Sequence, residues 1–198
     1  MRIFLAMLMV FCSGLSAASG QVSDAAPAGV TRPDQTAAAP IVIAHRGASG
    51  YLPEHTLEAA AFAHALEADY IEQDCVLSKD GIPIVMHDLT LDDLTNVSQV
   101  FPGRQRSDGR FHVLDFTLAE LRQLTVCERR SAGRNATTVS SRFPPDLGAF
   151  RISTLEEHLQ LIQGLNQSRR HQAGVYVEIK DPKKHREAGL DASSAVLR

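Results

Sequence analysis

The segment Ile41–Thr56, IVIAHRGASGYLPEHT, brings an imidazole and a guanidinium to one glycine-rich turn. Its apolar start, residues 41–44, predicts a short buried strand that breaks at Gly47, with His45 and Arg46 at its carboxyl end. An imidazole transfers protons near neutral pH, and a guanidinium binds anions. The turn therefore has the chemistry of a phosphate-handling site, although an HRG match alone also fits an ordinary polar strand end.

Two carboxylates follow on the next apolar segment, residues 68–77 (ADYIEQDCVL). Strand alternation places Glu72 and Asp74 on one face, roughly 6.5 to 7 Å apart along the strand. Carboxylates at that distance repel each other unless a cation lies between them or water screens them. Since Ile71 and its apolar neighbours indicate a buried strand, the pair predicts a hard metal ion, with a solvated strand edge as the alternative.

Two further predicted strands also carry polar residues at their ends. The apolar run 84–86 leads directly into His87. In residues 174–180 (GVYVEIK), alternation separates an apolar face from a polar face that carries Glu178 and Lys180. The apolar face can pack under helices while the polar face is directed at a site.

These motifs, in this order, resemble the glycerophosphodiester phosphodiesterase family, particularly its periplasmic bacterial branch. The matching segments between about Ile41 and Lys180 are HRGASGYLPEHT, EQD, KDGIPIVMHD, FRISTLEEHL and VYVEIK. Several motifs in register are far more specific than any one of them. The resemblance implies a (β/α)8 (TIM) barrel of the PLC-like phosphodiesterase superfamily. It also implies metal-dependent hydrolysis of glycerophosphodiesters to sn-glycerol 3-phosphate and an alcohol, in glycerol and phospholipid metabolism.

The resemblance also implies roles for individual residues. His45 and His87 resemble the acid–base pair, and which of them is the acid stays open. The expected phosphate contacts are Arg46 and Lys180, and the expected metal ligands are Glu72, Asp74 and Glu178. Three carboxylates favour a hard ion, Ca²⁺ first and Mg²⁺ second. Direct attack by water and a cyclic phosphate intermediate are both compatible with this set.

Two other functions compete with this interpretation. One is a phospholipid head-group phosphodiesterase of the same superfamily, and the absence of an evident interfacial amphipathic helix in the sequence weighs against it. The other is a non-catalytic secreted binding protein, which the intact histidines and carboxylates argue against. The expected partner is a small-molecule glycerophosphodiester, since a formal net charge of −3 disfavours nucleic acid.

The amino terminus predicts export. Arg2, the apolar residues 3–11 and the small residues around 16–18 form a signal peptide pattern over residues 1–20. The apolar run is too short for a membrane span, which takes about 20 residues. Residues 21–40, rich in alanine with scattered proline, predict a linker. We therefore expect a periplasmic or secreted protein with no stable membrane span.

Residues 41–198 are expected to form an incomplete α/β domain, the N-terminal part of the barrel, truncated after about the third barrel strand. A full barrel takes about 250 residues. Residues 89–148 are long for a barrel connection and are expected to form an insertion subdomain. Exposed apolar surface and unpaired strand edges should follow, and activity is expected to need further sequence. A dimer that completes the barrel and a different fold that keeps the motifs are the alternatives.

Local signals predict three helix starts. Pro53, Glu54 and Thr56 suit the first turn of an alanine-rich helix, which gives Glu54 a structural role. Capping boxes at Thr117 with Glu120 and at Thr154 with Glu157 open two more helices. The arginines of the predicted insertion could guide an anionic substrate, although solvated loop positions explain most of them; they are Arg104, Arg106, Arg110, Arg129, Arg130 and Arg134.

Overall fold

Four strands form one sheet in the part of the chain that the computed structural model describes, residues 40–130, 137–139, 142 and 149–198. They are β1 (Ile43–Ala44), β2 (Tyr70–Leu77), β3 (Pro83–Val85) and β4 (Gly174–Ile179). The predicted signal peptide and the predicted linker up to residue 39 lie outside the described residues. So do residues 131–136, 140–141 and 143–148 of the predicted insertion.

Strand β2 is the centre of the sheet. Strands β1 and β4 run parallel to it on opposite edges, with Ala44 and Val175 both paired to Ile71. Strand β3 pairs antiparallel with the last residues of β2, on the same edge of β2 as β1. Because β1, β2 and β4 are parallel, their carboxyl ends point the same way. Since β1 ends opposite Ile71 and β4 ends opposite Cys75, the residues that follow these two strands lie beside the middle of β2.

Within the described residues, four helices lie in the connections between these strands, and two more follow β4. They are α1 (Leu57–Ala65), α2 (Val97–Val100), α3 (Leu118–Leu121), α4 (Leu155–Ser168), α5 (Pro182–Glu187) and α6 (Ala192–Val196), with a 3-10 turn at Val113–Asp115. Both predicted capping boxes are confirmed at the starts of α3 and α4. The first-turn prediction is wrong for Pro53 and Glu54. The hydroxyl of Thr56 accepts the backbone N–H of Ala59 and caps α1, so those two residues precede the helix.

The turn after β1 depends on Gly47. Its φ of 75° lies in the left-handed region, and a Cβ there would lie 2.9 Å from the backbone carbon of Ala59. The backbone N–H of Ala48 donates to the carbonyl of Ala59 at 3.0 Å. Turn and helix therefore pack backbone against backbone, which fixes the direction in which His45 and Arg46 leave the strand.

Two main hydrophobic clusters flank the sheet. A smaller one lies between the sheet and helices α1 and α4, and includes Ala60, Ala63, Ile71 and Ile162. The larger one joins the β2–β3 hairpin to the predicted insertion, and its buried members include Val76, Ile84, Met86, Leu91, Val113, Phe116, Leu121, Leu124 and Val126. The described part of the insertion is thus built onto the hairpin that ends at His87.

Apolar residues are exposed along both outer edges of the sheet, as expected for an incomplete barrel, and the prediction of a buried strand over residues 41–44 is wrong. Ile41 is 67% exposed and Tyr176 is 54% exposed. In the described part of the chain, β1 and β4 each pair with β2 alone, so each presents a second edge without a strand partner. Surface of this kind is what a sheet shows where further strands would otherwise continue it.

Candidate active site at the carboxyl ends of the parallel strands

The centre of the candidate site is the carboxylate pair of β2. Glu72 is 4% exposed and Asp74 is fully buried. The backbone N–H of Arg46 donates to Glu72 Oε2 at 2.6 Å, which ties the loop after β1 to this strand. Asp74 receives a hydrogen bond from His55 Nε2 at 2.9 Å, and Lys180 Nζ lies 3.1 Å from its other oxygen. The elements β1, β2 and β4 therefore all contribute to one cluster.

The two carboxyl groups differ in their protonation. Burial, assisted by the charge of Asp74, raises the pKa of Glu72 to about 7. Burial would also raise the pKa of Asp74, but the hydrogen bonds and charges of His55 and Lys180 outweigh it and hold the pKa well below its usual range. Glu72 therefore takes up a proton more readily than Asp74, because two buried carboxylates at one place do not both ionise freely.

His55 is part of this cluster. Its φ of 62° turns the chain so that the ring lies against β2, and the residue is 6% exposed. The ring of His158 contacts the backbone of His55, with Nε2 3.2 Å from the His55 carbonyl and 2.9 Å from the Ser153 hydroxyl. In sequence, His55 is one histidine within PEHT, and no spacing rule links it to Asp74. The contact depends on a left-handed residue that periodicity does not predict.

The donor set suits a divalent cation. One ligand atom from each of His55, Glu72 and Asp74 can be chosen so that all three lie within 4.8 Å of one another. Two of these ligands are the carboxylates that the sequence predicts. Carboxylate oxygens are the preferred ligands of Ca²⁺ and Mg²⁺, and a positive ion would relieve the repulsion between Glu72 and Asp74.

Glu178, the third ligand that the resemblance implies, lies outside this cluster. It is in register with Asp74 on the neighbouring strand, but its carboxylate accepts a hydrogen bond from Lys180 Nζ at 2.7 Å and its side chain is 52% exposed. Lys180 therefore bridges Asp74 and Glu178. The structure brings two of the three predicted ligands, Glu72 and Asp74, into one cluster and places the third, Glu178, on the neighbouring strand.

The two predicted acid–base histidines lie on different elements. His45 follows β1 directly and is exposed. His87 follows the β3 hairpin strand, and its Nδ1 lies 2.5 Å from the Asp88 carboxylate. This contact directs the opposite ring nitrogen, Nε2, away from Asp88. A cavity of about 600 Å³ is lined by His87, Glu178, Lys180 and their neighbours, and is large enough to admit a small phosphodiester.

The guanidinium of Arg46 is held from two sides. Its Nη1 donates to Glu54 Oε1 at 3.0 Å, and its Nε lies 3.5 Å from Asp74 Oδ2. Glu54 in turn receives two hydrogen bonds from Arg129, from Nε at 3.0 Å and from Nη2 at 2.8 Å. Burial would raise the pKa of Glu54, but the hydrogen bonds and charges of Arg129 and Arg46 lower it overall. Glu54 is therefore an ionised bridge between two arginines.

The arginines of the insertion are more constrained than solvated loop residues. Arg106 forms a two-point contact with Asp115, Arg104 lies over the Phe116 ring at 4.3 Å, and Arg110 pairs with Asp93 at 2.9 Å. Arg129, whose side chain is 25% exposed, contacts the site residues Glu54 and Asp88. The solvated-loop interpretation is therefore wrong for Arg129, whereas Arg104, Arg106 and Arg110 form their contacts with partly exposed side chains. Arg134 lies outside the described residues.

Comparison with known proteins agrees with this geometry. Residues 45–198 match the sequence model of the "Glycerophosphoryl diester phosphodiesterase family". A glycerophosphodiester phosphodiesterase of Haemophilus influenzae is 48% identical over 160 residues, which are 80% of this chain and 44% of that protein. One from Treponema pallidum is 44% identical over 159 residues, covering 79% of this chain and 45% of its own length.

Solved structures give the same result for the fold. A candidate glycerophosphoryl diester phosphodiesterase from Silicibacter pomeroyi superimposes with a TM-score of 0.63 at 30% identity, covering 79% of this chain and 51% of that one. A phosphodiesterase of Oleispira antarctica, in complex with the product sn-glycerol-3-phosphate, gives a TM-score of 0.53 at 30% identity, covering 80% and 51%. The chain spans about half the length of the relatives it matches. The predicted fold class, the N-terminal part of a (β/α)8 barrel, is confirmed.

Proposed function

This chain belongs to the glycerophosphoryl diester phosphodiesterase family, and from that membership we propose that its site hydrolyses glycerophosphodiesters to sn-glycerol 3-phosphate and an alcohol. The observation that carries the proposal is the buried cluster of His55, Glu72 and Asp74 with Arg46 beside it. A carboxylate pair next to a guanidinium suits a substrate whose phosphate is an anion and whose hydrolysis builds up further negative charge.

Metal dependence is part of the proposal. Glu72 and Asp74 would hold the cation, Ca²⁺ before Mg²⁺, and a cation bound there would neutralise charge on the phosphate oxygens. The proximity of His55 supports it as a further ligand or as a residue that orients Asp74. Glu178 would be available as a metal ligand only if its carboxylate gives up the hydrogen bond from Lys180. The exposure of the Glu178 side chain is compatible with that movement.

The remaining residues would bind the phosphate and move protons. Arg46 is held by Glu54 beside the carboxylate cluster, and Lys180 lies between Asp74 and Glu178. The side chains of Arg46 and Lys180 can therefore both contact phosphate oxygens. His87 would exchange a proton through Nε2, because its Nδ1 is engaged by Asp88. His45, which follows β1, would supply the second proton transfer. Imidazole side chains suit these roles, since one ring can both accept and donate a proton.

The experiment is hydrolysis of glycerophosphocholine by the purified chain with added CaCl₂, followed by the release of sn-glycerol 3-phosphate. We expect turnover that EDTA removes and that falls about 10²- to 10⁴-fold in His45→Ala and in His87→Ala. His112→Ala is the matched control, since that imidazole pairs with Asp108 in the insertion. Equal turnover in the site variants and the control would contradict the proposal. Preference for phosphatidylcholine vesicles would favour a phospholipid substrate instead.

Export is a separate part of the proposal, supported by the signal peptide pattern of residues 1–20. We expect the mature protein in the periplasm or the medium of a bacterial host, cleaved near residue 20. Cell fractionation and N-terminal sequencing of the product test this, and an uncleaved chain in the cytoplasmic fraction would contradict it. Among the described helices, none combines the length and the apolar composition that a bilayer crossing demands.

A further inference from the structure

Arg129 has a fixed place in the insertion. The neighbouring backbone is bonded on both sides, since Cys127 donates to the Leu94 carbonyl and Arg130 donates to the Asp93 carbonyl, each at 2.9 Å. The carbonyl of Arg129 itself accepts the backbone N–H of Thr138 at 2.8 Å. The side chain therefore leaves a backbone that is held in position, and its direction is set by the fold of the insertion.

The guanidinium of Arg129 uses all three of its nitrogens. Nε and Nη2 bind the two carboxylate oxygens of Glu54, and Nη1 binds Asp88 Oδ2 at 2.6 Å. A two-point contact of this kind fixes the plane of the carboxylate as well as its distance. Glu54 precedes α1, whereas Asp88 follows β3. Arg129 thus connects two loops that belong to different strands.

Each of these carboxylates also holds a residue of the proposed site. Glu54 accepts the Arg46 guanidinium at 3.0 Å, and Asp88 contacts Nδ1 of His87. Arg129 is therefore one carboxylate away from a proposed phosphate contact and one carboxylate away from a proposed acid–base imidazole. Its hydrogen bonds and charge also lower the pKa of Asp88 against the effect of burial, which keeps Asp88 an acceptor for His87.

We propose that Arg129 is a positioning residue of the hydrolytic site, acting on Arg46 through Glu54 and on His87 through Asp88. The inference rests on the proposed function and deepens it. Through this one side chain, the insertion orients both Arg46, the proposed phosphate contact, and His87, one of the proposed proton-transfer groups. Asp88, fixed by Arg129, keeps His87 in the tautomer that carries its proton on Nδ1 and leaves Nε2 free to exchange a proton with substrate.

The test compares Arg129→Gln and Arg129→Lys with Arg106→Gln in the full chain. Arg106 is a matched control, because it makes the same kind of two-point contact with Asp115 within the insertion and contacts no residue of the proposed site. The first readout is the tautomer of His87 from ¹⁵N chemical shifts of its ring. The second is kcat and KM for glycerophosphocholine, with circular dichroism to verify the fold.

We expect Arg129→Gln to shift His87 toward a mixture of tautomers and to lower kcat/KM about 10- to 100-fold, since small misplacements of reacting groups have effects of that size. Arg129→Lys keeps the charge but loses the planar fork, so it should recover part of the activity. Arg106→Gln should leave the tautomer unchanged and kcat/KM within about twofold.

An unchanged His87 tautomer in a folded Arg129→Gln variant would overturn the proposal, as would equal effects of Arg129→Gln and Arg106→Gln. If Arg129→Gln does not fold, the Lys variant is judged by the same two readouts. Absence of turnover in the wild-type chain would count against the proposed function alone, because the tautomer readout needs no substrate and still decides the role of Arg129.

Discussion

The two sides of the candidate site differ in how tightly they are built. On the β2 side, the buried corner formed by Arg46, His55, Glu72 and Asp74 is closed by hydrogen bonds and ion pairs between three elements. On the other side, the β4 face that carries Tyr176 and Glu178 is largely exposed. Lys180 joins the two through Asp74 and Glu178.

This difference shows which side chains of the candidate site are oriented by contacts within the described chain. In the buried corner, each charged group is oriented by partners from within the chain, so its geometry follows from the fold. On the β4 face, Glu178 is restrained mainly by an exposed ion pair, and such pairs contribute about 0–1 kcal/mol. Substitutions should therefore have large effects on one side and small effects on the other.

The largest effect is expected for Asp74→Ala. Removing this carboxylate leaves Arg46, His55 and Lys180 without their common partner in a buried place. Loss of one member of a buried ion pair costs about 3–5 kcal/mol. Urea unfolding should show this decrease in the free energy of unfolding, whereas Glu178→Ala should lower it by less than about 1 kcal/mol. Equal losses for the two variants would remove the distinction between the two sides.

A pH effect should come from His158, beneath the buried corner. Burial lowers its pKa to about 4 in the folded chain. A histidine with a depressed folded pKa contributes stability above its unfolded pKa of about 6.5, and that stability is lost as the pH falls toward 4. The loss should be on the order of 3 kcal/mol.

Urea unfolding at several values between pH 7.5 and pH 4 checks this, with His158→Gln as the reference. The variant lacks the titrating ring, so its free energy of unfolding should fall less over this range than that of the wild type. Parallel curves for the two proteins would show that His158 is not held neutral by burial.

Much of this arrangement can be predicted from sequence periodicity, and the contacts that periodicity misses are missed for physical reasons. Alternation places Glu72 and Asp74 on one strand face, and the capping boxes mark the starts of α3 and α4. These are local patterns in which sequence spacing determines spatial neighbourhood. The predicted first strand of four residues is reduced to Ile43–Ala44 because pairing with β2 extends over two residues.

The contacts of His55 and Arg129 could not be predicted in this way. His55 reaches Asp74 through a left-handed backbone conformation, and such a conformation in a non-glycine residue has no periodic signal. Arg129 lies 75 positions from Glu54, and only the folded insertion brings them together. Glu54 precedes its helix because Thr56 takes the cap position, a competition that composition alone does not decide.

An intermediate effect is expected for Gly47→Ala, at the turn that delivers His45 and Arg46. The substitution combines a left-handed φ with a clash against the Ala59 backbone at 2.9 Å. Gly103→Ala is the matched control, since its φ is 80° and no atom lies within 4 Å of the added Cβ. The difference in the free energy of unfolding between the two variants should be about 1–3 kcal/mol. Equal values would mean that the turn shifts away from α1 without cost.

The smallest effect is expected for Tyr176→Ser on the β4 face. The side chain is 54% exposed, and exposed substitutions usually change the free energy of unfolding by less than about 0.5 kcal/mol. Thermal or urea unfolding measures it. A loss of more than about 1.5 kcal/mol would show that this face is covered in solution, and the contrast between the two sides would then need revision.

The central claim is that Glu72 and Asp74 form a cation site in the buried corner. Its most direct test is titration calorimetry of Ca²⁺ into the purified chain, compared with Glu72→Gln and with the control Glu58→Gln, an exposed first-turn glutamate of α1. The account predicts binding in the wild type and in Glu58→Gln, with release of a proton at pH 6.5, and loss of binding in a folded Glu72→Gln. Undiminished binding in Glu72→Gln, or no binding to a folded wild-type chain, would contradict it.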